Sequence, residues 1–117
     1  MYGRAHIDSA VLENLRDIMA EDYPALLEAY LGDSEERLLL LRQALRDDNA
    51  EGLRTAAHSF KGSCSNMGAQ GLVQLCLALE RAGRDEALEL ADGLLRQLEQ
   101  ELSVVRVLIR AERRRYA

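Results

Sequence analysis

A histidine, a lysine three residues on and a glycine directly after it stand together in HSFKGSCSNMG, residues 58–68. Imidazole is a good phosphoryl acceptor near neutral pH, because an unprotonated ring nitrogen is substantially available there. An ammonium one helical turn along, on Lys61, can neutralise transferred phosphoryl oxygens as a point charge. Gly62 is the odd member, since a glycine inside a helix costs roughly 1 kcal/mol relative to alanine. Exposed helical positions ordinarily take Ala, Glu, Lys or Gln. A missing side chain is useful there mainly where another surface must come close.

Those roles require the three residues to point outward. Leu53, Ala57, Phe60, Cys64 and Met67 follow the 4-3-4-3 spacing of a core stripe. At about 100° per residue, His58 falls roughly 140° from the centre of that stripe, Gly62 about 180° and Ser65 about 120°. Arg54 and Lys61 flank the same outer surface. The histidine therefore faces water among positive, small or hydroxylated neighbours, which suits a nucleophile presented to a partner protein. The plain alternative is a solvated helix face that happens to contain these residues.

The segments around this helix supply its frame. Asp8 can cap a first helix with Val11, Leu12, Leu15, Ile18 and Met19 on its apolar side. Asp22 and Pro24 start a second, long helix to about Arg46, carried by Leu26, Leu27, Tyr30, Leu31, Leu38, Leu41 and Leu45, with Gly32 as a place to bend. The polar break DDNAEG, residues 47–52, precedes the His58 helix. Past Gly68, Leu72, Leu75, Cys76 and Leu79 predict a shorter helix ending near Arg81, and AGRD at 82–85 reads as a turn. A last helix runs from about Glu86 beyond Leu108, with Leu88, Leu95, Leu98, Leu102, Val105 and Ile109 inward. The expected fold is all-α: an antiparallel up-and-down four-helix bundle with an additional short N-terminal helix, one domain over 1–117.

Composition agrees. Hydrophobic residues make up 48% of the 117, yet these include one Phe, four Tyr and no Trp, and a single proline interrupts the chain. A Leu- and Ala-rich apolar content of this kind favours helix over sheet. The longest apolar run, Leu38 to Leu41, falls far short of the ~20 residues that span a bilayer, and the first residues carry no charged-then-apolar signal pattern. No membrane association and a cytoplasmic location are expected. A net charge of −5 argues against nucleic-acid binding. The basic run RAERRR, residues 110–115, suits the C-terminal end of a helix dipole, though it could also touch a phosphate backbone or an acidic partner. Cys64 and Cys76 lack the spacing of a zinc site or disulfide framework and read as small core residues. His6 has no companions and reads as surface. The adjacent carboxylates Asp47–Asp48 and Glu35–Glu36 read as solvated. No nucleotide-binding loop, serine constellation or metal-ligand cluster appears.

The sequence resembles the histidine-containing phosphotransfer (HPt) proteins of multistep two-component signalling. Their motif has the form H-x-hydrophobic-K-G with a second glycine ten residues after the histidine. His58, Ser59, Phe60, Lys61, Gly62 and Gly68 match each element, and the specific match covers about 50–81. The resemblance, most of all to the free-standing, HptB-like kind, implies a four-helix bundle whose exposed histidine takes a phosphoryl group from the aspartate of one receiver domain and passes it to another. The expected partners are the receivers of hybrid sensor histidine kinases and of a response regulator, with this chain a monomer. It implies catalytic roles for His58 as acceptor and Lys61 as phosphoryl stabiliser, and a docking surface at Gly62, Arg54 and Ser65. No cofactor is expected in this chain, Mg²⁺ belonging to the partner receiver, and no independent kinase activity, so the name of enzyme is a matter of definition.

Two positions depart from the family pattern. Phe60 stands where leucine is commoner, which a core can absorb by repacking. Glu80, 22 residues after the histidine, stands where relatives often carry a glutamine that bonds the other imidazole nitrogen. A glutamate can accept the same Nδ1–H bond and leave Nε2 free, although its charge favours the protonated ring and shrinks the nucleophilic fraction. It can equally sit at a helix edge without touching His58. Two rival readings stand beside phosphotransfer. One is a non-catalytic helical adaptor that binds a partner through an apolar groove, marked by an exposed apolar patch away from His58. The other is a histidine-kinase dimerisation segment, which would normally accompany an ATP-binding domain.

Overall fold

The computed structural model describes residues 6–117, so residues 1–5, the start of the expected domain and of the signal-pattern reading, lie outside the described residues. Helix α1 spans Ser9–Met19, and a 3₁₀ turn at Ala20–Asp22 leads into α2, Tyr23–Arg46. Helix α3 spans Ala50–Asn66, α4 Gln70–Arg84 and α5 Leu88–Tyr116. Among the described residues there is no strand. The four longer helices close a ring in which α2 packs on α3, α3 on α4, α4 on α5 and α5 back on α2. With loops this short, the result is the expected up-and-down bundle.

The predicted stripe forms the centre of the core: Leu53, Ala57, Phe60 and Cys64 are fully buried and Met67 nearly so. Leu27, Leu41, Leu72, Leu79, Leu98, Leu102, Val105 and Ile109 meet it from the other three helices. Cys64 and Cys76 are buried free thiols, as expected. Hydrogen bonding with Cys64, together with burial, pushes the Cys76 thiol far above its ordinary range, so it is an inert core group.

Helix α1 covers one end of the bundle. Asp8 caps it by accepting from the Ala10 amide at 3.0 Å, while the Asp8 amide donates to the Gly68 carbonyl at 2.8 Å, tying the helix to the α3–α4 turn. Leu12, Leu15 and Met19 pack inward, but Ile18, expected on the same side, is exposed because the helix has only one supported face. The tail of α5 returns to this end. Arg16 donates to the Tyr116 hydroxyl, Tyr116 packs edge-on to buried Tyr23 at 5.6 Å, and the Tyr23 hydroxyl donates to Glu112 at 2.7 Å. Arg113 pairs with Glu28, and Arg115 lies over the Tyr116 ring, so the basic run is partly engaged within the chain.

Two further expectations fail. His6 is not bare surface: its Nδ1 lies 2.7 Å from Glu101 Oε2, with both side chains largely buried. Nor is 82–85 a turn, since α4 continues to Arg84. Helices α2, α3 and α4 end in the same hydrogen-bonded turn, with left-handed residues at Asp48, Gly68 and Glu86. In each, the following amide reaches back five residues: Asn49 to Ala44, Ala69 to Cys64 and Ala87 to Ala82, at 2.8, 3.0 and 2.8 Å. Only one of the three uses glycine. The stop signal read at Gly83 belongs instead to packing, because a Cβ there would lie 2.7 Å from the Ala50 carbonyl oxygen and 2.8 Å from the Arg54 amide. Gly83 is where the backbones of α3 and α4 touch.

Candidate functional site

His58 projects from the middle of α3 with 66% of its side chain exposed, confirming the outward direction read from the helical angle. Its Nδ1 lies 2.9 Å from Glu80 Oε2, and Lys61 Nζ donates to Glu80 Oε1 at 2.7 Å. One carboxylate on α4 thus gathers the histidine and the lysine of α3. Packing explains why it can: Gly83, one turn beyond Glu80, removes the spacer between the two helices.

The electrostatics follow from this geometry. The Lys61 hydrogen bond is the main cause that holds the Glu80 carboxyl below its ordinary range, with the His58 contact adding and partial burial opposing. An ionised carboxylate accepts only, so the ring nitrogen facing it carries the proton. The lone pair is then on Nε2, which has no hydrogen-bond partner among the described residues and belongs to a ring whose side chain is 66% exposed. This arrangement fixes the nucleophilic nitrogen by hydrogen bonding the other one.

The remaining predicted residues fall on the same outer face. A Cβ built on Gly62 meets no atom within 4 Å, so the position is open space beside the imidazole. Ser65 is exposed, farther along α3. Arg54, one turn before His58, is held by Glu51 at 2.5 Å. Lys61 is less exposed than its helical angle suggested, because its stem follows the α3–α4 groove to Glu80.

Sequence reasoning missed the other flank. Arg37 of α2 donates from Nε to both carboxylate oxygens of Asp33, at 3.2 and 3.0 Å, and reaches across to the Ser59 hydroxyl beside His58. Ser63 also donates to Asp33, at 3.2 Å. The i,i+4 spacing of Asp33 and Arg37 was a readable signal, but its bridge to α3 was not. Below Arg37, an open groove between α2 and α3 is lined by Leu40, Ala44, Ala56 and Ser59. Leu40 is exposed at the edge of this groove. Among the described residues no group of three or more potential metal ligands occurs. No described helix is long and apolar enough to cross a membrane.

Comparison with known proteins agrees with this geometry. The family model described as the Hpt domain matches residues 25–107. The crystal structure of histidine-containing phosphotransfer protein B (HptB) from Pseudomonas aeruginosa PAO1 superposes with a TM-score of 0.93 at 46% identity, covering 96% of this chain and 97% of that one. A search among curated proteins finds no match. The chain belongs to the Hpt domain family, whose members carry out histidine phosphotransfer in phosphorelay signalling with receiver domains of response regulators and kinases.

Proposed function

We propose that His58 is the phosphoryl acceptor of this chain and that Nε2 is the bonding atom. The observation that carries the reading is the 2.9 Å contact of Nδ1 with Glu80 on a ring that is otherwise exposed. In charging, the Nε2 lone pair attacks the phosphorus of a receiver's aspartyl phosphate. The P–O bond to the aspartate breaks and its electrons return to the carboxylate. Mg²⁺ and most of the charge stabilisation belong to the receiver. Lys61, already on the carboxylate that holds the imidazole, exchanges Glu80 for the incoming phosphoryl oxygens.

Docking uses the face around His58, with Gly62 providing clearance and Arg54 and Ser65 at its edges. The expected partners are the receivers of hybrid sensor kinases upstream and of a response regulator downstream, meeting a cytoplasmic monomer. The adaptor reading finds less support, because the chain belongs to a family whose members carry out histidine phosphotransfer.

The test is transfer from a phosphorylated receiver. Acid-labile label should appear on His58, and His58→Gln should fold normally yet take none. ATP with Mg²⁺ alone should label nothing. Retained label in His58→Gln would refute the assignment, and reproducible labelling from ATP would favour the kinase-segment reading.

A further inference from the structure

Once phosphorylated on Nε2, a histidine that keeps its Nδ1 proton has a positively charged imidazolium ring. In onward transfer an aspartate oxygen attacks phosphorus, the P–N bond breaks, and its electron pair returns to Nε2. With Nδ1 still protonated the ring leaves as neutral imidazole. If that proton has been lost, the ring must leave as an imidazolate, a far poorer leaving group. Whether the phosphoryl group can be passed on therefore depends on what holds the Nδ1 proton.

In this chain the Nδ1 proton faces a carboxylate, Glu80 Oε2, at 2.9 Å. Resting on the acceptor reading above, we infer that the negative charge of Glu80, beyond its hydrogen bond, keeps phosphorylated His58 protonated on Nδ1 and so keeps its phosphoryl group transferable into alkaline solution. An amide in the same place would accept the same hydrogen bond without supplying a counter-charge. Glu80 is therefore a positioning residue with an electrostatic duty in the charged state.

The surroundings sustain that duty and limit its size. The groups that act on Glu80 from α3 are Lys61, His58 and, at longer range, Arg54; on its own helix, Cys76 lies buried beneath it. Lys61 occupies Oε1 at 2.7 Å, which keeps the carboxylate ionised but also shares its charge. When Lys61 turns to the phosphoryl oxygens, the carboxylate charge is left to the ring. The His58 side chain is 66% exposed, so solvent and salt screen the pair and limit what the charge can do.

The experiment uses the full chain, wild type and Glu80→Gln, each charged with the small phosphodonor phosphoramidate. After donor removal, loss of the phosphohistidine ³¹P signal is followed from neutral to alkaline pH, with the Nδ1 ¹⁵N shift recorded in parallel. Both proteins should become charged on His58. The pH at which dephosphorylation slows and the Nδ1 signal changes should lie about one unit lower in Glu80→Gln. Between the two midpoints the variant's phosphohistidine should then live up to about tenfold longer. Superimposable profiles for two charged proteins would overturn the role of the charge while leaving the acceptor assignment standing. Failure of the wild type to become charged on His58 would overturn the acceptor assignment and this inference with it.

Discussion

The same substitution, glycine to alanine, should move stability in opposite directions at two helical positions of this bundle. At Gly62 an added Cβ meets nothing within 4 Å, so only the backbone effects remain. Alanine there restricts the unfolded chain and suits a helix, for a gain of roughly 0.5–1 kcal/mol. At Gly83 the added Cβ lies 2.7 Å from the Ala50 oxygen, 2.8 Å from the Arg54 nitrogen and 3.1 Å from the Arg54 Cα. All three are backbone atoms and cannot swing away, so α3 and α4 must separate. Backbone contacts this short put the overpacking cost in the upper part of the usual range, about 2–3 kcal/mol, against about 1 kcal/mol gained from helix propensity, leaving a net loss of about 1–2 kcal/mol. For a domain of this size each kcal/mol shifts the melting temperature by roughly 4 °C. Urea and thermal unfolding of the two variants should therefore bracket the wild type, Gly62→Ala above and Gly83→Ala below. Gly83→Ala should also slow phosphotransfer, because widening the α3–α4 contact draws Glu80 away from His58. Two variants shifting in the same direction, or a Gly83→Ala protein as stable as wild type, would refute this account of how the site is assembled.

Other outcomes follow from the same geometry. Lys61→Ala should slow transfer in both directions while costing no more than about 1 kcal/mol, the usual ceiling for a partly exposed ion pair; unchanged rates in a rapid-mixing assay would remove Lys61 from the reaction. The lowered Glu80 carboxyl gives that pair a pH signature. A carboxylate whose folded value is depressed stabilises the fold above its unfolded value, near 4.5 here, and loses that contribution as pH falls through the folded value. The stability difference between wild type and Lys61→Ala should thus be full at neutral pH and shrink in acid below that point, and a difference constant with pH would contradict it. Gly62→Gln should fold but transfer slowly with receivers, while phosphoramidate still charges it at the wild-type rate. Equal rates with receivers would show that the glycine is not there for clearance.

Much of this site was legible because it depends on one helix. The 4-3-4-3 stripe from Leu53 to Met67 fixed the inward face of α3, and the outward direction of His58, Gly62 and Ser65 followed from helical geometry alone. What depends on two helices was less legible. Whether Glu80 reaches His58 is decided by the approach of α4 to α3, and Gly83, which permits that approach, looks in sequence like a helix stop. The real stop uses Glu86 in a left-handed conformation, for which a glutamate gives no signal. Arg37 and Ser59 pair across 22 residues, and His6 and Glu101 across 95. Such contacts follow from the closing of the bundle and leave no periodicity to read. The leucine run from Leu38 to Leu41 was half resolved. Its period placed Leu41 in the core, but only the assembled groove shows Leu40 exposed at its edge.

The central claim is that Nε2 of His58 carries the phosphoryl group while Glu80 holds Nδ1. Phosphorus–nitrogen coupling in the ¹⁵N-labelled protein, charged by a phosphorylated receiver, tests it most directly. One histidine, His58, should show coupling at Nε2, with a protonated Nδ1. A phosphoryl group found on Nδ1 of His58, or on His6, would contradict the account.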